Sequence, residues 1–197
     1  MRRIGNAEVF VNKNPMTRIV PLTLALLLTL SGAASAAESW TARAEAKSAD
    51  GKLLTASVVF SVDRLLTVAE RDAVLKTLKT GGHAGAKAAL AGLKEIGWIE
   101  AAGKRVPVKF AFARPMGGGR LLTLVSDQAI AHIGGNIPDA KPKEGFDATY
   151  AILILDGEGK GNGEIVPAAK LKLREDGALT TEDYAGGTVW LKEIAPK

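Results

Sequence analysis

The run LLTASVVFSV, Leu53 to Val62, constrains this chain more than any other stretch. Leu54, Ala56, Val58, Phe60 and Val62 alternate with Thr55, Ser57 and Ser61. A period of two is the pattern of a strand with one buried face. The signal recurs along the sequence. Trp40 to Lys47 alternates more weakly, and Asp50-Gly51 is a strong hairpin turn, so these two runs are expected to form an opening hairpin. Val106, Val108, Phe110 and Phe112 alternate with Arg105, Lys109, Ala111 and Ala113, after which PMGGGR turns the chain and Leu121 to Ser126 returns. Tyr150 to Leu155 is apolar on both faces, which predicts a central strand. Ala169, Leu171 and Leu173 alternate with Lys170, Lys172 and Arg174, Asp176-Gly177 turns the chain, and Thr188 to Ile194 closes it.

One interlude is helical. Thr67-Val68-Ala69-Glu70 reads as a capping box, in which the Thr67 hydroxyl takes an orphan backbone N–H and Glu70 reaches back to the Thr67 N–H. Gly81-Gly82 is expected to end this helix. A second short helix, Ala84 to Lys94, would bury Ala86, Leu90 and Leu93, and the pair would form a lid or plug on the sheet. Short turns between strands imply antiparallel neighbours. The expected fold is one α+β domain over residues 37–197: a mainly antiparallel β meander, closed or partly closed into a barrel, with two short helices after the second strand. Closure would remove the sheet edges. The segment Gly134 to Asp147 has no periodicity and is long enough to carry function.

Residues 1–36 read as a leader. From Met16, Arg18 gives a positive start, Ile19 to Leu30 an apolar run, and Ala34-Ser35-Ala36 small residues for cleavage before Ala37. The apolar run falls short of the ~20 residues needed to span a bilayer. The natural start is expected at Met16; the alternative is that residues 1–15 form a long n-region of the same leader. The net charge of +5 shrinks accordingly: the leader holds Arg2, Arg3, Lys13 and Arg18 against Glu8, which leaves 22 basic and 20 acidic residues of 26 and 21. A mature charge of +2 argues little for nucleic acid. The absence of cysteine excludes a lipid-anchored form, disulfides, thiol catalysis and cysteine zinc sites. The expected product is an exported protein, periplasmic or extracellular, with no membrane span after cleavage.

Five motifs in order carry a resemblance: TVAERDAVLKTLKTGG, GWIE, VKFAFARPMGGGRLLTLVSDQAI, GEGKGNGEIVPAAKLKL and LTTEDYAGGTVWLKEI. They resemble a family of uncharacterised secreted bacterial proteins, frequent in acidobacteria and their soil neighbours. The resemblance covers almost the whole mature chain. It departs at SDQAI, where arginine and proline are expected after the aspartate, and this alters the charge of any site lined there. It implies a secreted single domain and no activity.

Chemistry-bearing motifs are few. LDGEGKGNGEIV, Leu155 to Val166, places Lys160 where a calcium loop wants a carboxylate and has no glutamate at its twelfth position. Lys160 is followed by glycine rather than the Ser or Thr of a phosphate loop, so the stretch reads as a hairpin. The same holds for MGGGR, Met116 to Arg120. His83 and His132 lie far apart without metal-binding spacing. No G-x-S-x-G elbow is present. Glu182-Asp183 would point to opposite faces of a strand, and Glu100, Asp127 and Asp156 read as solvated acids. No catalytic residue, metal site or cofactor is expected.

Three functional classes stay open. The first is a non-catalytic binding module for a protein or envelope partner, recognisable by a surface patch. The second is a carrier for a small apolar ligand in a barrel cavity, lined by Trp98, Phe110, Phe112 and Leu122 with Asp127 near its mouth. Trp40, Trp190, Phe60 and Tyr150 are further aromatics that could line such a cavity or fill it. An enzyme comes third.

Overall fold

The computed structural model describes residues 37–141, 143–182 and 189–197. The leader with its cleavage point, and Asp183, lie outside the described residues. Eleven strands and one helix follow in order. They are β1 (Glu38–Lys47), β2 (Leu53–Val62), α1 (Val68–Ala91), β3 (Gly97–Ala101), β4 (Lys104–Pro107), β5 (Phe110–Met116) and β6 (Gly119–Ser126). Then come β7 (Ala148–Leu155), β8 (Gly161–Ala169), β9 (Leu171–Leu173), β10 (Leu179–Thr181) and β11 (Val189–Pro196).

Nine strands form one antiparallel sheet in the order β4-β3-β2-β1-β11-β8-β7-β6-β5, and β9 and β10 pair separately. The sheet is thus two four-stranded meanders joined through the last strand. Local turns explain each meander. At the β1–β2 turn Ser48 N–H donates to Lys52 O and Gly51 N–H to Ser48 O, both at 2.9 Å, with Gly51 left-handed at φ 81°. Gly117 and Gly118 join β5 to β6, both left-handed at φ 53° and 86°, as a two-residue turn between twisted strands requires.

The sequence shows one unbroken alternation from Arg105 to Ala113, but the chain changes edges within it. β4 and β5 lie at opposite ends of the strand order and are separated only by Val108 and Lys109. Val108 still pairs with the β3 side, accepting from Ile96 N–H at 2.9 Å and donating to Gly97 O at 2.7 Å, whereas Lys109 N–H already reaches Val125 O at 2.9 Å. At 3.8 Å per trans peptide, three steps bring the two edges within about 11 Å at this corner. The sheet must therefore curl. The β2–α1 link spans the gap, Asp63 N–H donating to Ile96 O and Leu66 N–H to Ala111 O at 2.9 and 2.8 Å.

The curl stops short of closure. β4 and β5 are not paired with each other, so of the closed or partly closed barrel expected, the sheet forms an open half-barrel. Each edge strand carries a proline, Pro107 and Pro115, which lacks the N–H that a further strand would need. The open edges are blunted rather than removed.

The two expected helices are also one. Thr67 caps α1 with the complete capping box, and the helix runs through Gly82, whose φ of 61° and ψ of −156° kink it without ending it. No loop follows the kink. The chain re-enters helical geometry at once because Gly85 lets it pass close to Thr77, where a Cβ would stand 2.8 Å from the Thr77 carbonyl oxygen.

The inner face of the curl is filled by Trp40, Phe60, Ile99, Leu122, Leu124, Leu153, Ile165 and Leu191, each at most 2 % exposed. Burying such side chains stabilises the fold by ~1.5–3 kcal/mol apiece. Ala42, Ala44, Ala101, Ala111 and Ala151 sit between them, also buried, and their small size lets the walls approach. The aperiodic segment between β6 and β7 is a packed cover: Ile130, Ile133 and Ile137 are buried. Ile130 N–H donates to Pro167 O at 2.9 Å and Ala140 N–H to Ala131 O at 2.8 Å. Gly135 lies so close to β2 that a Cβ would be 2.0 Å from Thr55 O. No helix among the described residues is long and apolar enough to cross a membrane.

Candidate binding surface

The five side chains expected to line a cavity do not meet around one. Register separates them. Ala113 pairs with Leu122, and Phe112 with Thr123, so Leu122 faces the packed interior while Phe110 and Phe112 point to the outer face. Phe110 is buried there in a row with Val125, Tyr150 and Val166, beneath α1 and the β9–β10 hairpin. The Tyr150 hydroxyl donates to Leu179 O at 3.1 Å; burial, reinforced by the charge of Glu164, pushes its phenol above the ordinary range. Phe112 is half-buried with the Arg71 guanidinium 4.5 Å from its ring centre. Trp98 alternates with the buried Ile99 and so faces outward from β3, with Arg105 stacked 3.9 Å from its ring centre. Asp127 follows β6, and its Oδ1 is buried without a hydrogen bond.

What the outer face does bring together is a different set. Across the sheet, Trp190, Glu164, Ile152, Thr123 and Phe112 form one lateral row, each paired with the next. The neighbouring row runs Asn162, Ile154, Leu121 and Arg114. Met116 follows Arg114 on the same face of β5. Trp190, Ile154 and Met116 are 54 %, 39 % and 42 % exposed, and they are three of the five exposed large hydrophobic side chains among the described residues. Their concentration on the outer face of the curl marks a patch rather than scatter. Arg114 and Lys192, at its margins, make no ion pair among the described residues, and neither does Glu164.

The sequence held two signals for this surface. A two-glycine turn at Gly117-Gly118 sets the β5–β6 register, which already parts Leu122 from Phe112. Tyr150 to Leu155, apolar on both faces, reads as a central strand; β7 does lie between β6 and β8, and Ile152 and Ile154 stand on the face that carries the patch.

The two histidines are structural ties. His83 follows the kink of α1, and its Nδ1 accepts from the buried Leu171 N–H at 3.0 Å. Its proton therefore sits on Nε2, which lies 2.8 Å from Asp147 Oδ1. Lys87 holds the other carboxylate oxygen. Burial raises the Asp147 carboxyl, but the hydrogen bonds from Lys87 and His83 together outweigh it and hold the group below its usual range. With both ring nitrogens committed, His83 has no free site for acid–base work. His132 Nδ1 bonds Asp139 at 2.6 Å across the 131–140 turn. Among the described residues no three His, Asp or Glu side chains gather as metal ligands.

The glycine motifs are bends. Asp156 Oδ1 accepts the N–H groups of Glu158 and Lys160, both at 2.9 Å, and so caps its own turn. Both motifs border a cleft of about 580 Å³ at the end of the sheet, where Arg120 spends its guanidinium on a two-point pair with Glu38. No family model, curated protein or solved structure matches this chain.

Proposed function

We propose that this chain is an exported, non-catalytic binding module that docks a protein partner on the apolar half of its outer sheet face. One observation carries the reading. Leu121, Ile152, Ile154, Phe112 and Met116 lie together on three neighbouring strands, on the face where a sheet with one wet side carries polar residues. Arg114, and Lys192 with its ammonium 6.0 Å from the Trp190 ring centre, make no ion pair among the described residues and at the margin select a partner that brings carboxylates beside its apolar contacts. Export rests on the layout of residues 16–36. The carrier reading has less support, because Leu122 faces a filled interior and Phe110, Phe112 and Trp98 point away from it. An enzyme has less still, with His83 doubly bonded.

Photo-crosslinking in the producing cell tests this directly. A benzophenone amino acid at Leu121 should yield one discrete adduct, and the same probe at Lys104, on the far edge, should yield none. The adduct should vanish when Ile154→Glu is added. Equal patterns at both positions, or no adduct at Leu121, would refute the docking face.

A further inference from the structure

The other half of the outer face is chemically different. Over β1, β2 and β3 two adjoining clefts of about 460 and 390 Å³ share Ala56 and Ser57 and so form one groove. Thr41, Thr55 and Ser57 line it, and among the described residues none of their hydroxyls makes a side-chain hydrogen bond. Its charged groups are each held by a partner. Arg43 bonds Glu45 and Glu193, both at 2.9 Å; Glu100 is paired with Arg105; and His132 is oriented through Nδ1 by Asp139, which leaves Nε2 without a partner.

Backbone strain falls at one end of the same place, at Glu193. Only Ala102 and Glu193, at φ 49° and 53°, are non-glycine residues in the left-handed region among those described. They line the two ends of this groove. At Ala102 the two-residue β3–β4 turn, completed by Gly103 at φ 73°, requires that angle; at Glu193 no turn does, and such a conformation costs of order 1–3 kcal/mol and persists only where the surroundings impose it. Glu193 sits in a bulge of β11 opposite an irregularity in β1, a device that re-aims side chains at a sheet surface.

We propose that this groove binds an uncharged, hydroxyl-rich ligand, a saccharide. Free hydroxyls, a free imidazole nitrogen and pre-oriented carboxylates supply donors and acceptors to many hydroxyl groups at once. Arg43 and Arg105 stand against Glu45, Glu193 and Glu100, so the groove keeps one carboxylate in excess, which turns away an anionic ligand. Trp190 stands beside Glu45 in the adjoining row, and its exposed ring provides an apolar platform at the groove's end. Trp190 borders both the groove and the docking patch; every other residue of the groove lies outside that patch, and the assignment does not rest on it.

The test is a titration of the mature, isotope-labelled protein with cellotriose, maltotriose and tri-N-acetylchitotriose, followed by amide and indole NMR shifts. At least one sugar should shift residues 41–43, 55–57, 100–103 and 132–135 together, while Leu121 and Ile154 stay still. Ser57→Trp, which fills the groove, should abolish the shifts, and His132→Ala should weaken binding by about tenfold, one hydrogen bond's worth. No shifts with any of the three at ~10 mM, weaker than any useful affinity, would overturn the proposal. Shifts that map outside the groove, or survive Ser57→Trp, would do so as well.

Discussion

His83→Ala should be among the most damaging single changes in this protein. The imidazole is 9 % exposed and ties the kink of α1 to β9 and to the segment before β7. Truncation leaves the Leu171 N–H, itself buried, without an acceptor, at a cost of ~1–3 kcal/mol. Loss of the Asp147 bond adds about 1 kcal/mol, less than the usual value for a charged partner, because that carboxylate is 40 % exposed and keeps Lys87. The total is about 3 kcal/mol. With a urea slope of ~2 kcal/mol/M, the midpoint should fall by about 1.5 M. His83→Gln, whose amide oxygen can accept from Leu171, should recover about half of that. Urea unfolding followed by tryptophan fluorescence reads all three proteins. A shift below ~0.3 M for His83→Ala would mean that the Leu171 bond is not made in solution.

Two further outcomes follow from the packing and charge. Arg64 and the Thr67 N–H hold the Glu70 carboxyl down at about 2, against an ordinary 4.5. The stabilisation from this depressed group is complete above pH 4.5 and is lost as pH falls from there toward 2. The melting temperature of the wild type should therefore fall across that window more steeply than that of Glu70→Gln, and parallel curves would contradict the capping network. Gly163→Ala should cost about 3 kcal/mol or more, since its Cβ would lie 2.0 Å from the Ile152 carbonyl oxygen; a variant that unfolds at the wild-type midpoint would show that β7 and β8 pair differently.

The parts of this fold that could be read in advance are those fixed by neighbours in the chain. The β1–β2 hairpin at Asp50-Gly51, the Thr67–Glu70 cap and the bend at Asp156 depend on residues a few positions apart, and each formed as its local chemistry dictates. The misreadings share a different cause. Gly82 takes a backbone angle that ends many helices, but whether a helix ends or kinks depends on what the next turn packs against, here β9 far along the chain. Alternation from Val106 to Phe112 reports that every second side chain is buried and carries no record of the face or the neighbouring strand: Val106 lies opposite the inward Ile99 and Phe110 on the outer face, yet the pattern runs unbroken through the change of edge. The contact of His83 with Asp147 spans 64 positions and leaves no local trace. For the binding surface, period-two reasoning treats every apolar residue as core. It therefore assigned Phe112 and Trp98 to a cavity and gave Ile152 and Ile154 no surface role. Trp190 alternates with the buried Val189 and Leu191, and that alternation alone points it outward.

The central claim is that the apolar outer face is covered in the cell. A cysteine-free chain gives a clean background for one measurement: the rate at which a membrane-permeant maleimide labels Ile154→Cys in the intact producing cell, compared with the purified protein. Occupancy of the face predicts labelling at least about tenfold slower in the cell, as expected where nine-tenths of the molecules are bound, with Lys104→Cys labelling equally fast in both settings. Equal rates for Ile154→Cys in the cell and in solution would contradict the account.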